Sequence, residues 1–445
     1  MATSTSIARS SARSICGTTV ECLGDEVVEK AKTCLRDMIG IAAQASDLPA
    51  SRHAVAFASA MGSNQATIIG SKQRASVADA AFANAVMAHG LVQEDMHTAS
   101  VSHIGVVMWP TLLALAEHTR VSGEDFIAAG VAGYQVMARF GQALITKEVA
   151  SIFRPTGLVG AIGGAAAGAR LLHLTEDETT SALALAANTA SGLNEWPREG
   201  SDDMFFHPGN AARSAVTSVL LAKSGARAAE SCLNALFPAY GGAPRDSVSL
   251  DGACEILDVY HKPAPACNYA QTPAQAALAV VQRSPLRPAD IEQVLVKSFP
   301  EAIAYPGCDH TGPYRTLLQA KMSIEFVVAA TLTAGRLDDA ALRDFSEGSE
   351  AARLARRVCL ESDPEFAAAY PQRQGAEVIV TLKNGERRRA RLAQLQPLDA
   401  RGVRERFVAA VSRLFGEGRA TELAREIDAL PDLPDAARIS RLLAP

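Results

Sequence analysis

Two adjacent carboxylates and two histidines fall within ten residues, in Glu94-Asp95-Met96-His97-Thr98-Ala99-Ser100-Val101-Ser102-His103. An imidazole titrates near neutral pH and a carboxylate beside it fixes its tautomer, so these residue types suit proton transfer. The same composition also suits two solvated acids and a capping histidine in a loop. Chemistry-bearing residues gather in three further places. Phe153-Arg154-Pro155-Thr156-Gly157 runs into Gly160, Gly163 and Gly164. No strand precedes these glycines, which disfavours a dinucleotide fingerprint and favours close helix packing. The stretch from Glu195-Trp196-Pro197-Arg198 to His207-Pro208-Gly209-Asn210 and Arg213 reads as a long loop entering a helix, with His207 at a turn. His261-Lys262-Pro263-Ala264-Pro265-Ala266-Cys267-Asn268-Tyr269 stands where the character of the chain changes, a place where clefts form. Taken singly, Lys262 reads as a surface lysine and Cys267 as a small buried hydrophobe. His97 and His103 are six apart, off a single helical face and without a third ligand at metal spacing, so no metal is expected.

The elements that must position these groups follow from composition and period. A chain of 445 residues exceeds one usual core, and two domains are expected. With 48% hydrophobic and 20% charged residues the chain is globular rather than disordered. The net charge of −5 is spread without a Lys/Arg stripe, which argues against nucleic acid as partner. Eight cysteines without CxxC spacing indicate reduced thiols and a cytoplasmic location. The longest uncharged stretch, Pro155 to Ala169, is too short and glycine-rich to span a membrane. Met1 to Gly17 is Ser/Thr/Arg-rich without a secretory apolar core and reads as a frayed tail. Helical period predicts helices at Glu26–Ala45, Val77–Leu91, Pro110–Thr119, Gly123–Ile145 and Asp177–Ala190, with Pro110 at a first helical position, Thr175 as an N-cap and no strands between. Beyond Lys262-Pro263-Ala264-Pro265 a strand is expected at Ile291–Phe299 and a hairpin at Val378–Lys383 turning on Asn384-Gly385. Helices are expected at Lys321–Leu332, Ala340–Val358, Arg401–Phe415 and Ala420–Leu430. The fold class is therefore mainly α: a large all-helical domain over residues 1–265 and 401–445, and a smaller α+β lid domain over 266–400.

Taken in order, the motifs resemble those of the MmgE/PrpD family, which includes 2-methylcitrate dehydratase, cis-aconitate decarboxylase and iminodisuccinate epimerase. The likeness rests on His89 to Pro110 with Glu94-Asp95 and His103, on Pro155-Thr156 with the small-residue helix behind it, and on His207-Pro208-Gly209-Asn210-Ala211-Ala212. It continues through Lys262-Pro263-Ala264-Pro265-Ala266-Cys267 and Ala320-Lys321-Met322-Ser323-Ile324-Glu325, over nearly the whole chain. It implies a helical domain that forms a homodimer, a lid domain, and a site between them that needs no cofactor and takes a small carboxylic-acid substrate. By the same resemblance His103 matches an active-site histidine, Asp95 an acid that orients a histidine, and Lys262 a lysine that binds a carboxylate. His97 joins these as a catalytic candidate, and Arg154, Thr156, Met204, His207, Cys267 and Lys321 are candidates for substrate binding.

The chain also departs from the family pattern. Val92 stands where many members have Asp, Met96 where they have Thr, Arg154 where a histidine is usual, and Met204 where many carry a lysine. Ala266-Cys267-Asn268 replaces the usual His or Ser-Cys context. Family enzymes break or move bonds beside a carboxylate, which needs a base and a cation to hold the charge that develops. The expected activity is thus that of a lyase of dehydratase or decarboxylase type acting on a small di- or tricarboxylic acid. The alternatives are an isomerase or epimerase and a catalytically silent dimeric homologue. A dehydrogenase is disfavoured, because no strand–glycine–helix unit exists.

Overall fold

The computed structural model describes residues 6–445. The protein is mainly α-helical, and its helices start where the sequence supplies caps. Thr175 and Glu178 form a reciprocal capping box ahead of Glu176–Ala187, while Ser76 and Ser122 accept the N3 amides of Val77–His89 and Gly123–Leu144. Two large hydrophobic cores result. The first draws on side chains from Ile7 to Val259 and again from Phe407 to Leu443. The second runs from Ala264 to Ala390 and includes Val92, Trp196 and Met204. The C-terminal helix Ala400–Phe415 thus packs back onto the early helix Asp25–Ala45. No helix among the described residues is long and apolar enough to cross a membrane.

The glycines behind Pro155-Thr156 serve close packing. A Cβ on Gly163 would lie 2.6 Å from the Met137 Cβ and 3.2 Å from the Gly133 carbonyl oxygen, so helices Gly123–Leu144 and Pro155–Leu171 meet nearly backbone to backbone. That contact fixes the start of the second helix, and with it Arg154.

A four-stranded sheet serves the second core: β1 (Ile291–Ser298), β2 (Val358–Ser362), β3 (Ala376–Leu382) and β4 (Arg387–Leu392), in the order β2-β1-β3-β4. β1 pairs with β2 in parallel and with β3 antiparallel, and Val294 and Val296 face the core beside Val378 and Val380.

Several expectations are corrected. Ile7–Cys16 is a helix capped by Ser6, where a frayed tail was expected; Met1 to Thr5 lie outside the described residues. Pro110 lies inside the helix Gly105–His118, which begins earlier because the Asp95 carboxylate accepts the Gly105 amide at 3.0 Å. Two short antiparallel ladders, Ala66–Thr67 with Arg74–Ala75 and Met96–His97 with Val259–Tyr260, interrupt the helical region, and two residues are too few to show alternation. Lys321–Leu332 is two helices, Leu317–Met322 and Ile324–Ala334, broken at Ser323, whose Oγ caps the second. Ala340–Val358 is not one helix but Asp339–Leu342, Glu350–Ala355 and the start of β2. His207 lies not at a turn but within the helix Asp203–Lys223.

Candidate active site

A small cavity between the two cores has a volume of about 20 Å³. That is room for one water and too little for a dicarboxylate, so the described state is closed. His103, Arg154, Cys267 and Tyr305 line it together with Val92 and Val101. Val92 and Val101 hold φ values of 58° and 50°. β-branched residues seldom accept this left-handed region, and strain of this kind collects at sites whose backbone must be aimed.

His103 follows the loop that closes on the helix Gly105–His118. Its backbone amide donates to Thr156 Oγ1 at 3.0 Å, tying it to the start of Pro155–Leu171. Its Nδ1 stands 3.0 Å from the Asp95 carbonyl oxygen and 3.1 Å from Glu94 Oε1. A carbonyl only accepts, so Nδ1 carries the hydrogen and Nε2 of the neutral ring has a free lone pair. Burial drives the His103 pKa well below the ordinary imidazole range, and Lys262 and Arg154 reinforce this while Glu94 opposes it. The ring is thus a neutral base of fixed tautomer.

Glu94 is the anionic centre beneath it. Its Oε1 is 2.7 Å from His89 Nδ1 and 4.0 Å from Lys262 Nζ, with the side chain 1% exposed. Neither Glu94 oxygen has a well-aligned hydrogen-bond donor among the described residues, so the His89 approach is a close electrostatic contact. Burial alone would raise the Glu94 pKa, yet His89, Lys262 and His103 outweigh it and hold the carboxyl far below its usual range. Arg154 Nη2 approaches His89 Nε2 at 3.3 Å, and because guanidinium only donates, His89 is also the Nδ1–H tautomer. Lys262, fully buried, donates to the Val92 carbonyl at 2.6 Å and the Ala266 carbonyl at 3.4 Å; burial pulls its pKa down. Its main chain is held in turn, since Arg406 donates to the Lys262 carbonyl at 2.9 Å while pairing with Asp37, which also binds His261 at 3.0 Å. Replacing Glu94 by Gln should leave the Lys262 ammonium without its balancing charge. A loss of about 3–5 kcal/mol is expected, read as a lower urea midpoint.

Arg154 is a buried cation that lacks a carboxylate partner among the described residues. Its contacts are Tyr305 Oη at 3.3 Å, His89 Nε2 and the Trp196 ring at 5.8 Å, while its Nε has no partner among the described residues. Burying an unpaired guanidinium is costly, and an anionic ligand in the cavity would balance it.

The remaining candidates are placed as follows. The Asp95 carboxylate turns away from the cavity to Tyr134 Oη at 2.5 Å and the Gly105 amide, so Asp95 orients His103 through its main-chain carbonyl. His97 accepts from the Ser100 amide at Nδ1 and faces Glu255 with Nε2 at 2.9 Å, outside the cavity. Asp258 completes a group of metal-type donors there, but Arg139 and Gln142 already occupy the Glu255 oxygens. Lys321 is paired with Asp339 at 2.9 Å and does not reach the cavity. Thr156 meets it only through the His103 amide, and Met204 is buried in the second core. His207 packs near Gly192; burial, with Arg154 adding to it, lowers its pKa to about 4. Lys262, which reads as a surface lysine in isolation, is fully buried. Sequence reasoning assigned no role to His89, Glu94 or Tyr305. The Glu94-Asp95 pair carried a signal for one of its two acids, whereas Tyr305 carried none.

Two family models match the chain: the MmgE/PrpD N-terminal domain over residues 9–238 and the MmgE/PrpD C-terminal domain over residues 264–430. Among curated proteins, the chain is 25% identical to cis-aconitate decarboxylase of Mus musculus, covering 98% of this chain and 93% of that protein. It is 26% identical to cis-aconitate decarboxylase of Homo sapiens, over 98% and 94%. A cis-aconitate decarboxylase-like protein of Aspergillus oryzae is 32% identical over 45% of this chain and 43% of its own length.

Proposed function

The chain belongs to the MmgE/PrpD family, and we propose that it is a lyase that acts on a small di- or tricarboxylic acid by moving a proton next to a carboxylate. One observation carries the reading. A neutral histidine with a free Nε2 and a buried guanidinium without a carboxylate partner among the described residues line the same small cavity. Arg154 holds a substrate carboxylate and stabilises the negative charge that builds on it when the neighbouring C–H bond ionises. His103 takes that proton through Nε2. Glu94 steadies the imidazolium that forms, being 3.1 Å from Nδ1. The small cavity leaves room for little water, which strengthens each of these electrostatic effects.

The relatives named as cis-aconitate decarboxylases support a lyase and place unsaturated tricarboxylates among the first acids to try. A dehydratase-type reaction fits a base that starts unprotonated, since it begins with proton removal. The same empty Nε2 favours an epimerase as the second reading, because removal and return of one proton suffices there.

Proton NMR in D₂O of the protein with a panel of hydroxy, amino and unsaturated di- and tricarboxylates distinguishes the readings. Depletion of one acid with formation of an alkene or loss of CO₂ is expected. Deuterium incorporation with an unchanged carbon and oxygen skeleton supports the epimerase. Binding of an acid without any turnover rejects both in favour of a silent homologue.

A further inference from the structure

Cys267 has no part in the steps above, yet its side chain forms a wall of the cavity that His103 and Arg154 also line. The sulfur comes from the second core, whereas His103 stands on the helical side of the first, so the cavity lies between them. Cys267 directly precedes the turn Asn268–Ala270, and its amide donates to the Lys321 carbonyl at 2.9 Å, so main-chain contacts set where Sγ sits. Behind it, fully buried, Cys308 Sγ lies 3.6 Å away. On the reading of the site as a proton-transfer centre, we propose that Cys267 is its second acid–base group, which delivers through Sγ–H the proton needed by the departing oxygen of a small hydroxy acid.

The groups facing this thiol suit it for that task. The hydrogen bond from Cys308, the Tyr269 amide and the nearby cations Lys262 and Arg154 lower its pKa to about 7 against the effect of burial. Cys308 itself is pushed well up by burial and by Cys267, so it keeps its proton and donates. His103 therefore starts empty, and below about pH 7 Cys267 starts loaded. His103 Nε2 removes the proton α to the carboxylate, and the C–H electron pair moves into the carboxylate as an enediolate beside Arg154. That pair returns to form the C=C bond as the β C–O bond breaks. The oxygen takes the Cys267 proton and leaves as water, while sulfur keeps the electron pair as thiolate. One water is lost overall, and the proton on His103 passes to the thiolate through that water before the next turnover.

Kinetics of variants in the full chain test this. Cys267→Ala is expected to lower kcat by ~10²–10⁴-fold with KM within about threefold, while exchange of the substrate α-proton with D₂O persists, because removal by His103 does not use the thiol. Cys267→Ser should remain slow, having the shape without the acidity. The alkaline limb of kcat/KM in the unaltered protein should fall near pH 7, and Cys308→Ala, which removes the donor to Cys267 Sγ, should move it upward. Turnover of Cys267→Ala close to that of the unaltered protein, or an alkaline limb that survives in it, overturns the proposal. If no acid in the panel is turned over, the lyase reading has failed, and the thiol is read directly by iodoacetamide labelling and mass spectrometry. Labelling of Cys267 with a midpoint near pH 7, slowed by citrate, supports it. A midpoint at the ordinary thiol value near 9, or indifference to citrate, overturns it.

Discussion

Changing His103 to Gln is expected to reduce kcat by ~10²–10⁴-fold without unfolding the protein. Glutamine is close to histidine in length and can donate to the Asp95 carbonyl, and the main-chain contact with Thr156 does not depend on the side chain. What it lacks is a lone pair of sufficient basicity at the position of Nε2. The unaltered protein carries a related pH signature. Only the neutral ring can accept a proton, and burial with Lys262 and Arg154 shifts its protonation to lower pH, Glu94 opposing in part. Activity should therefore hold as pH falls through ~6.5, where an ordinary histidine would already be charging, and decline only below that. The kcat/KM profile of the unaltered protein and near-UV circular dichroism of the variant are the measurements. A folded variant with near-normal turnover rejects His103 as the base.

Arg154→Met separates stability from function. The guanidinium supplies charge-assisted contacts to a bound carboxylate, so its loss should weaken ligand binding by about 2–5 kcal/mol, or roughly 30-fold to several thousand-fold. The free protein responds differently. Arg154 has no carboxylate partner among the described residues, and replacing an unbalanced buried charge with an apolar side chain of similar length removes a desolvation cost. The lost hydrogen bonds to Tyr305 and His89 offset that by about 1 kcal/mol each. The thermal midpoint should thus hold or rise while citrate binding by calorimetry disappears, the opposite of the stability loss expected for Glu94→Gln. Unchanged citrate affinity would remove Arg154 from the site.

What was legible in the sequence is the local part. Thr175 with Glu178, and Asn384-Gly385 between alternating runs, carry their structural instruction within a few residues, and both elements form where expected. Ala340–Val358 misled because its alanines and arginines keep a helical period, while Ser349 opens a new helix and Val358 joins β2. That strand exists only through its parallel pairing with β1, some sixty residues away. The site divides in the same way. His103, Arg154 and Cys267 line one cavity, with Lys262 just beneath it. His97 and Lys321 are of equally suggestive type, but Glu255 and Asp339 engage them, and neither pairing is visible from spacing. Glu94 and Asp95 show the limit most sharply. They are adjacent and chemically alike, yet one turns toward the histidines and the other toward Tyr134, because the loop between two helices points successive side chains in different directions.

Because the imidazole is oriented by the peptide carbonyl of residue 95, its tautomer is largely independent of which side chain that codon specifies. Point substitution rewrites side chains and leaves peptide oxygens in place. The base thus belongs to the chain's backbone shape, whereas the side chains of Val92 and Met96 line the cavity without a part in the proton transfers. An architecture of that kind can change what it accepts while keeping how it removes a proton, and laboratory evolution toward new acids has the codons of Val92 and Met96 as its natural starting library.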